Sequence, residues 1–273
     1  MSVQILSQDV LQKNRARLNR LDDGRRIGDD EGACRFIAER GFVLLMPIEG
    51  VPLPSLARAD AAVPWDGFAC TDRVWNWKEI LPGKKLCAYT KLVQGRGTFI
   101  AWRLYPSFLK VYGLDGDPDY EYENGRLKKA EVDLYHLVKE DGPIDSRRLW
   151  SKAKPIFGSK RTRFTAALER LQSRFYLTVA GGSLEGWTLH TWDLVERQAP
   201  PEVITALPTP AEARNNILRQ TLQNCYAAPE RQLRSILGWT PADLQHCLLT
   251  LKEEGTAVPV TMEGESIPWW RGN

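Results

Sequence analysis

Along much of the chain, apolar residues recur every third or fourth position and then give way to short runs rich in β-branched and aromatic residues. Leu127, Ala130, Leu134, Leu137 and Val138 share one helical face, and the pattern stops at Gly142 and Pro143. Asp145 then stands as the N-cap of a short helix, SRRLWSKAK, which buries Leu149. Ser159 is the expected cap of the next helix, whose inward stripe is Phe164, Leu168 and Leu171. Two β-type runs, RFYLTVA and GWTLHTWDL, follow around Gly181, Gly182 and Gly186 and predict a hairpin. Three helices and a hairpin, in that order, make a winged helix.

The pattern repeats near the C-terminus. TPAE at Thr209 to Glu212 is a capping box with Pro210 at the first helical position. APERQLRSILGW gives a second helix, TPAD at Thr240 starts a third through Leu244, Cys247, Leu248 and Leu251, and AVPVTMEGESIPWW closes with a hairpin. The proline-rich stretch from Arg197 to Pro210 reads as the linker between the two units. Nearer the N-terminus, VQILSQDVLQKNRARLNRL predicts one helix. DDEGACRFIAERG predicts another, capped by Asp29 or Asp30 and stopped at Gly41, and a buried apolar run from Phe42 to Ile48 follows. The expected fold is α+β and mainly helical, a tandem of winged-helix units with small hairpin wings. Its expected divisions are a degenerate unit over residues 1–72, a mixed segment over 73–126, a central winged helix over 127–200 and a C-terminal one over 208–273.

Charge sharpens this picture where net charge does not, since +3 over 273 residues favours no partner by itself. Between Asp145 and Arg174 stand Arg147, Arg148, Lys152, Lys154, Lys160, Arg161, Arg163, Arg170 and Arg174, against Asp145 and Glu169. Cations at the start of the helix beginning near Lys160 oppose its own dipole, a conflict that an external anion removes. From Arg73 to Lys110 a second basic stretch carries Lys78, Lys84, Lys85, Lys91, Arg96 and Arg103, interleaved with Trp75, Trp77, Tyr89 and Trp102. Cations mixed with flat rings suit phosphates and bases. Lys78, Lys91, Arg96, Arg103, Arg147, Arg148, Lys160, Arg161, Arg163 and Arg170 are therefore the candidate DNA-binding residues, and duplex DNA the expected partner.

Other chemistries find little support in the residues. The five cysteines are odd in number and form no C-x-x-C pair, which argues against a disulfide framework or a zinc ribbon. The acidic run Gly113 to Gly125 lacks the spacing of a calcium loop. No metal or small-molecule cofactor is expected. His136, His190 and His246 are assigned surface or core roles. The longest uncharged apolar run, Gly41 to Ile48, is too short for a membrane span, and no signal peptide is evident, so a cytoplasmic location is expected.

VWNWKEILP, AYTKLVQGRGTFIAWRLYPSFLKVYG and the basic helices that follow resemble the AlkZ-type (YcaQ-like) DNA glycosylase superfamily, most closely from about Trp75 to Pro200. The resemblance implies tandem winged helices cradling duplex DNA and a role in DNA repair or genome maintenance. It also implies a catalytic motif of glutamine, an apolar residue and glutamine or aspartate, set after a glycine and before a proline. The nearest match is GFVLLMPI, where Leu44 and Met46 stand at the polar positions. Neither side chain can orient a water or stabilise an oxocarbenium-like sugar. The expected protein binds DNA without ordinary base excision. The alternatives are a glycosylase using a displaced carboxylate, with Glu79 and Asp72 as candidates, and a winged-helix transcriptional or protein-interaction module.

Overall fold

The computed structural model describes residues 4–21, 24–62, 71–184 and 189–273. Strand β1 (Gln4–Leu6) and helix α1 (Gln8–Leu18) come first; Ser7 caps the helix by accepting a hydrogen bond from the Val10 N–H at 3.4 Å. The expected single N-terminal helix is thus split, because Leu6 is drawn into a parallel pairing with a distant C-terminal strand.

A first unit follows: α2 (Asp30–Arg40), β2 (Phe42–Leu44), the one-turn α3 (Leu56–Ala59), α4 (Asp72–Gly83) and the hairpin β3 (Ala88–Lys91) with β4 (Gly97–Ile100). Asp29 caps α2 through the Gly32 N–H at 2.6 Å, and Thr71 caps α4 through the Val74 N–H at 3.2 Å. The boundary expected at residue 72 falls at the start of this unit's third helix. Helices α5 (Tyr105–Tyr112) and α6 (Pro118–Glu123) lead to the second unit. That unit comprises α7 (Lys129–Asp141), β5 (Ile144–Asp145), α8 (Ser146–Phe157), α9 (Arg161–Ser173), β6 (Leu177–Ser183) and β7 (Leu189–Leu194). Asp145 caps α8 as expected, through Arg147 N–H at 2.9 Å and Arg148 N–H at 3.0 Å. Ser159 does not cap α9. The cap position is Lys160, which offers no side-chain acceptor.

Short helices α10 (Val195–Gln198) and α11 (Pro201–Thr205) bridge to a third unit of α12 (Pro210–Cys225), β8 (Ala227–Pro229), α13 (Glu230–Leu237), α14 (Pro241–Glu253), β9 (Ala257–Met262) and β10 (Pro268–Gly272). The Thr209–Glu212 capping box is closed in both directions, and Thr240 caps α14. The three sheets share one topology: the first short strand pairs with the last strand, giving the orders β2-β4-β3, β5-β7-β6 and β8-β10-β9, and β1 extends the third along β9. Helix, strand, helix, helix, hairpin therefore recurs three times among the described residues.

β2 explains the apolar run from Phe42 onward. Val43 and Leu45 enter a core shared with the second unit, whereas Phe42 and Leu44 enter one shared with the third, so the strand is buried on both faces. Leu44 is completely buried. Cys34, Cys87, Cys225 and Cys247 are unpaired, and no described helix is long and apolar enough to cross a membrane.

Candidate functional site

Helix α4 occupies in the first unit the place that α9 holds in the second, but it lies against the second unit's sheet. Val74, Trp77 and Leu81 turn into the core. The opposite contact is made by glycines: a Cβ on Gly83 would lie 3.1 Å from Gly181 Cα, and one on Gly182 would collide with Glu79 Cγ and Leu189 O. Glycine in a strand marks such a close backbone approach. With no side chain in the way, the Glu79 carboxylate reaches β7.

There it joins a compact charged cluster. Lys78 Nζ donates to Glu79 Oε1 at 2.7 Å and to Oε2 at 2.8 Å, and His190 Nδ1 is 3.1 Å from Oε1, off the line of a good hydrogen bond. The side chains of Lys78 and Glu79 are 5% and 1% exposed, that of His190 24%. Lys78 Nζ also lies 4.2 Å from the centroid of Trp75, a residue 45% exposed. The Tyr89 phenol is held well above its ordinary pKa by burial, with the Glu79 charge adding to the effect, and so remains a neutral hydroxyl.

These groups border a cavity of about 600 Å³ lined by residues 45–49, Trp75, Lys78, Tyr89, Lys91, Arg96, Gly97 and His190. Lys91 and Arg96 flank the β3–β4 turn on its rim, and Glu49 is the exposed acidic residue there. Met46 lines this cavity while Leu44, two residues earlier, is sealed in a core. A larger cavity of about 1000 Å³ lies between α1 and residues 47–52. It lacks a comparable cluster: its Arg15 is committed to the carbonyls of Cys225 and Ala227, and burial lowers that guanidinium's pKa.

The other candidates lie apart from the cluster or are engaged elsewhere. Asp72 is exposed in the first turn of α4 and does not line the cavity. Lys78 is not on the open surface: it lines the cavity, with its ammonium held by Glu79. Arg103 has an exposed stem, yet its guanidinium donates to Ala38 O, Glu39 O and Gln220 Oε1 and so fastens the end of α2 to α12. Arg147 and Arg148 are exposed at the start of α8. Lys160, Arg161 and Arg163 are exposed at the start of α9, with Arg161 5.5 Å from the Trp150 centroid. Arg170 is exposed and donates to Arg126 O at 3.2 Å.

Sequence reading missed His190, which lies 111 positions beyond Glu79; Gly181 and Gly182 in a strand were the signal that something packs there. It also missed an arginine-lined depression along α2, formed by Arg17, Arg20, Arg25, Arg26, Arg35 and Arg40 with Asp29 and Glu39. Among the described residues, no three His, Cys, Asp or Glu residues gather as a metal site.

The family model described as AlkZ related matches residues 27–238, most of the chain and all of its first two units. The chain belongs to the AlkZ-related family. Its structure is similar to that of a Streptomyces sahachiroi DNA glycosylase, AlkZ, with a TM-score of 0.59 at 15% sequence identity, covering 94% of this chain and 68% of that one. No curated protein matches the sequence. At that identity the likeness to AlkZ is one of fold.

Proposed function

We propose that the repeated units are winged helices, that the chain binds duplex DNA with little sequence preference, and that it lacks base excision of the kind implied by a polar pair at positions 44 and 46. The observation that carries the proposal is the cavity itself. In an AlkZ-related fold, it has cations on its rim, an exposed tryptophan on its wall and an apolar Met46 where the resemblance calls for a hydrogen-bonding group. Exposed cations at the start of α9, a helix end without a side-chain cap or an acidic residue in its first turn, add a second place for phosphates.

Glu79 gives the competing glycosylase reading its one specific support, as a carboxylate beside the cavity. Both its oxygens accept from Lys78, and its side chain is almost fully enclosed. A carboxylate so engaged is a poor base for an attacking water, which needs direct access. The test is to titrate the protein against unmodified duplexes over a salt series. It is then incubated with duplexes carrying a bulky alkylpurine or an interstrand crosslink, and abasic sites are measured. Salt-dependent binding without base release is expected; enzyme-dependent release would overturn the claim about excision, and absence of binding the claim about DNA.

A further inference from the structure

We propose that Lys78 is an imine-forming nucleophile and that its substrate is the ring-opened deoxyribose aldehyde of an abasic site in DNA. The inference rests on the DNA-binding reading above and adds a chemistry to the same cavity. A buried Lys–Glu pair is a weak device for stability, because desolvating two ions offsets most of their attraction and an apolar pair would serve as well. Here the pair is not in a core but behind a cavity wall, with the ammonium at the wall, Trp75 over it and His190 beside it. A lysine withdrawn from water gives up its proton more readily and can then attack a carbonyl; the Glu79 charge opposes that loss, but its carboxylate is in contact to take the proton.

Each step balances within the groups present. Glu79, in contact with Nζ, takes a proton from Lys78. The amine's lone pair attacks C1′ of the aldehyde, an N–C bond forms, and the carbonyl oxygen is protonated. Loss of that oxygen as water gives the protonated imine. His190, on the same cavity wall, removes a proton from C2′. The electrons of that bond form the C2′–C3′ double bond, and the 3′ phosphate departs with the electrons of the C3′–O bond. One water then hydrolyses the imine and restores the amine, leaving an unsaturated aldehyde on the upstream strand. Lys91 and Arg96 on the rim hold flanking phosphates, and Trp75 offers a stacking face to a neighbouring base.

The experiment uses the full chain and a labelled duplex with one abasic site. Binding is read by fluorescence anisotropy, and imine formation by sodium borohydride reduction, denaturing electrophoresis and mass mapping of the modified lysine. The expected result is a covalent adduct on Lys78 in the unaltered protein, reduced to background in Lys78→Gln. Glu79→Gln should form the adduct about 10²- to 10⁴-fold more slowly, as for loss of a general base, and should shift its rate–pH profile. A duplex that is bound but yields no adduct, or an adduct mapped to another lysine, overturns the imine proposal and leaves DNA binding standing. A duplex neither bound nor trapped overturns both. Because the mapping is done on the unaltered chain, poor folding of a variant does not blunt the test.

Discussion

Helices α4 and α9 hold the same place in two copies of one topology, and they have been put to opposite uses. α9 keeps its first turn in solvent and loads it with Lys160, Arg161 and Arg163, with no acidic residue there to calm the dipole. α4 has a proper Thr71 cap and an acidic first turn, and it is laid against the neighbouring unit's β6, where Lys78 and Glu79 are buried. The third copy, α14, carries Asp243 early and Lys252 and Glu253 late, and shows neither an exposed cationic start nor a buried ion pair. A repeated unit thus fixes where a helix can be placed, while the residues on its outer face, and the glycines of whatever it meets, decide whether it faces solvent or builds a cavity.

The sharpest way to break this comparison is at the cavity's edge, where two residues in nearly the same place have different surroundings. Leu44→Gln buries an amide between two cores with no partner and should destabilise the protein by about 3 kcal/mol or more, read as a fall in the urea midpoint. Met46→Gln, half-buried and facing the cavity, should cost less than about 1 kcal/mol in the same assay. Equal losses would mean that position 46 is core and that the cavity is not bounded as described.

Gly182→Ala tests the contact that sets α4 apart. Its Cβ meets Glu79 Cγ and Leu189 O at once, so the helix or the strand must shift, at a cost of about 1–3 kcal/mol. Glu79 should lose its position beside His190, visible as a changed chemical shift of the His190 ring by NMR. An unchanged stability and ring chemical shift would show that α4 stands further from β6.

How much of this was legible in the sequence depends on distance along the chain. Caps and periodicity are local signals, and Asp29, Asp145, Thr209 and Thr240 mark helix starts where the structure has them. The apolar run at Phe42 also announced burial. The first unit's extent was not legible, because its second helix, Leu56–Ala59, is a single turn and too short to show a period. The sequence of β1 reads as helix because its strand partner, Val260 to Met262, lies over 250 positions away. In a charge count Lys78 reads as a phosphate contact, because such a count cannot see that α4 packs on a glycine-paved strand. Its neighbour in sequence, Glu79, would not ordinarily face it on a helix. Family resemblance, by contrast, spoke correctly from the middle of the chain, where the matched residues 27–238 are centred.

On the α9 side, Arg161→Ala with Arg163→Ala should lower affinity for duplex DNA and reduce the slope of log affinity against log salt by up to about two units if both contact phosphate. A control on α14, Lys252→Ala in its last turn, should leave the slope within about 0.3 units if that helix makes no phosphate contact. A salt slope that ignores α9 and responds to α14 would reverse the assignment of roles between the two copies.

The smallest effect tests what keeps α4 registered on its own unit rather than on its neighbour. Asp30, at the start of α2, accepts from Lys84 Nζ at 2.8 Å and from Trp77 Nε1 at 3.0 Å, so it ties the end and the middle of α4 to α2. The Lys84 hydrogen bond, aided by the Trp77 bond and the Lys84 charge and opposed by partial burial, holds the Asp30 pKa below its ordinary value. Because the folded-state value lies below the unfolded one near about 3.9, the charged carboxylate favours folding, and its contribution is complete only above that unfolded value. As pH falls from about 5 through the unfolded value and on through the depressed folded one, the contribution disappears. Asp30→Asn should therefore lower Tm by a few degrees or less at pH 7, since a partly exposed pair on one side and a single hydrogen bond on the other are modest terms. The gap between the two proteins should close as the titration is taken below about pH 4. A gap that stays constant down to the acid transition would mean that the neutral amide and the carboxylate hold α4 equally well, and that α2 positions the helix by packing of Phe36, Val74 and Trp77 alone.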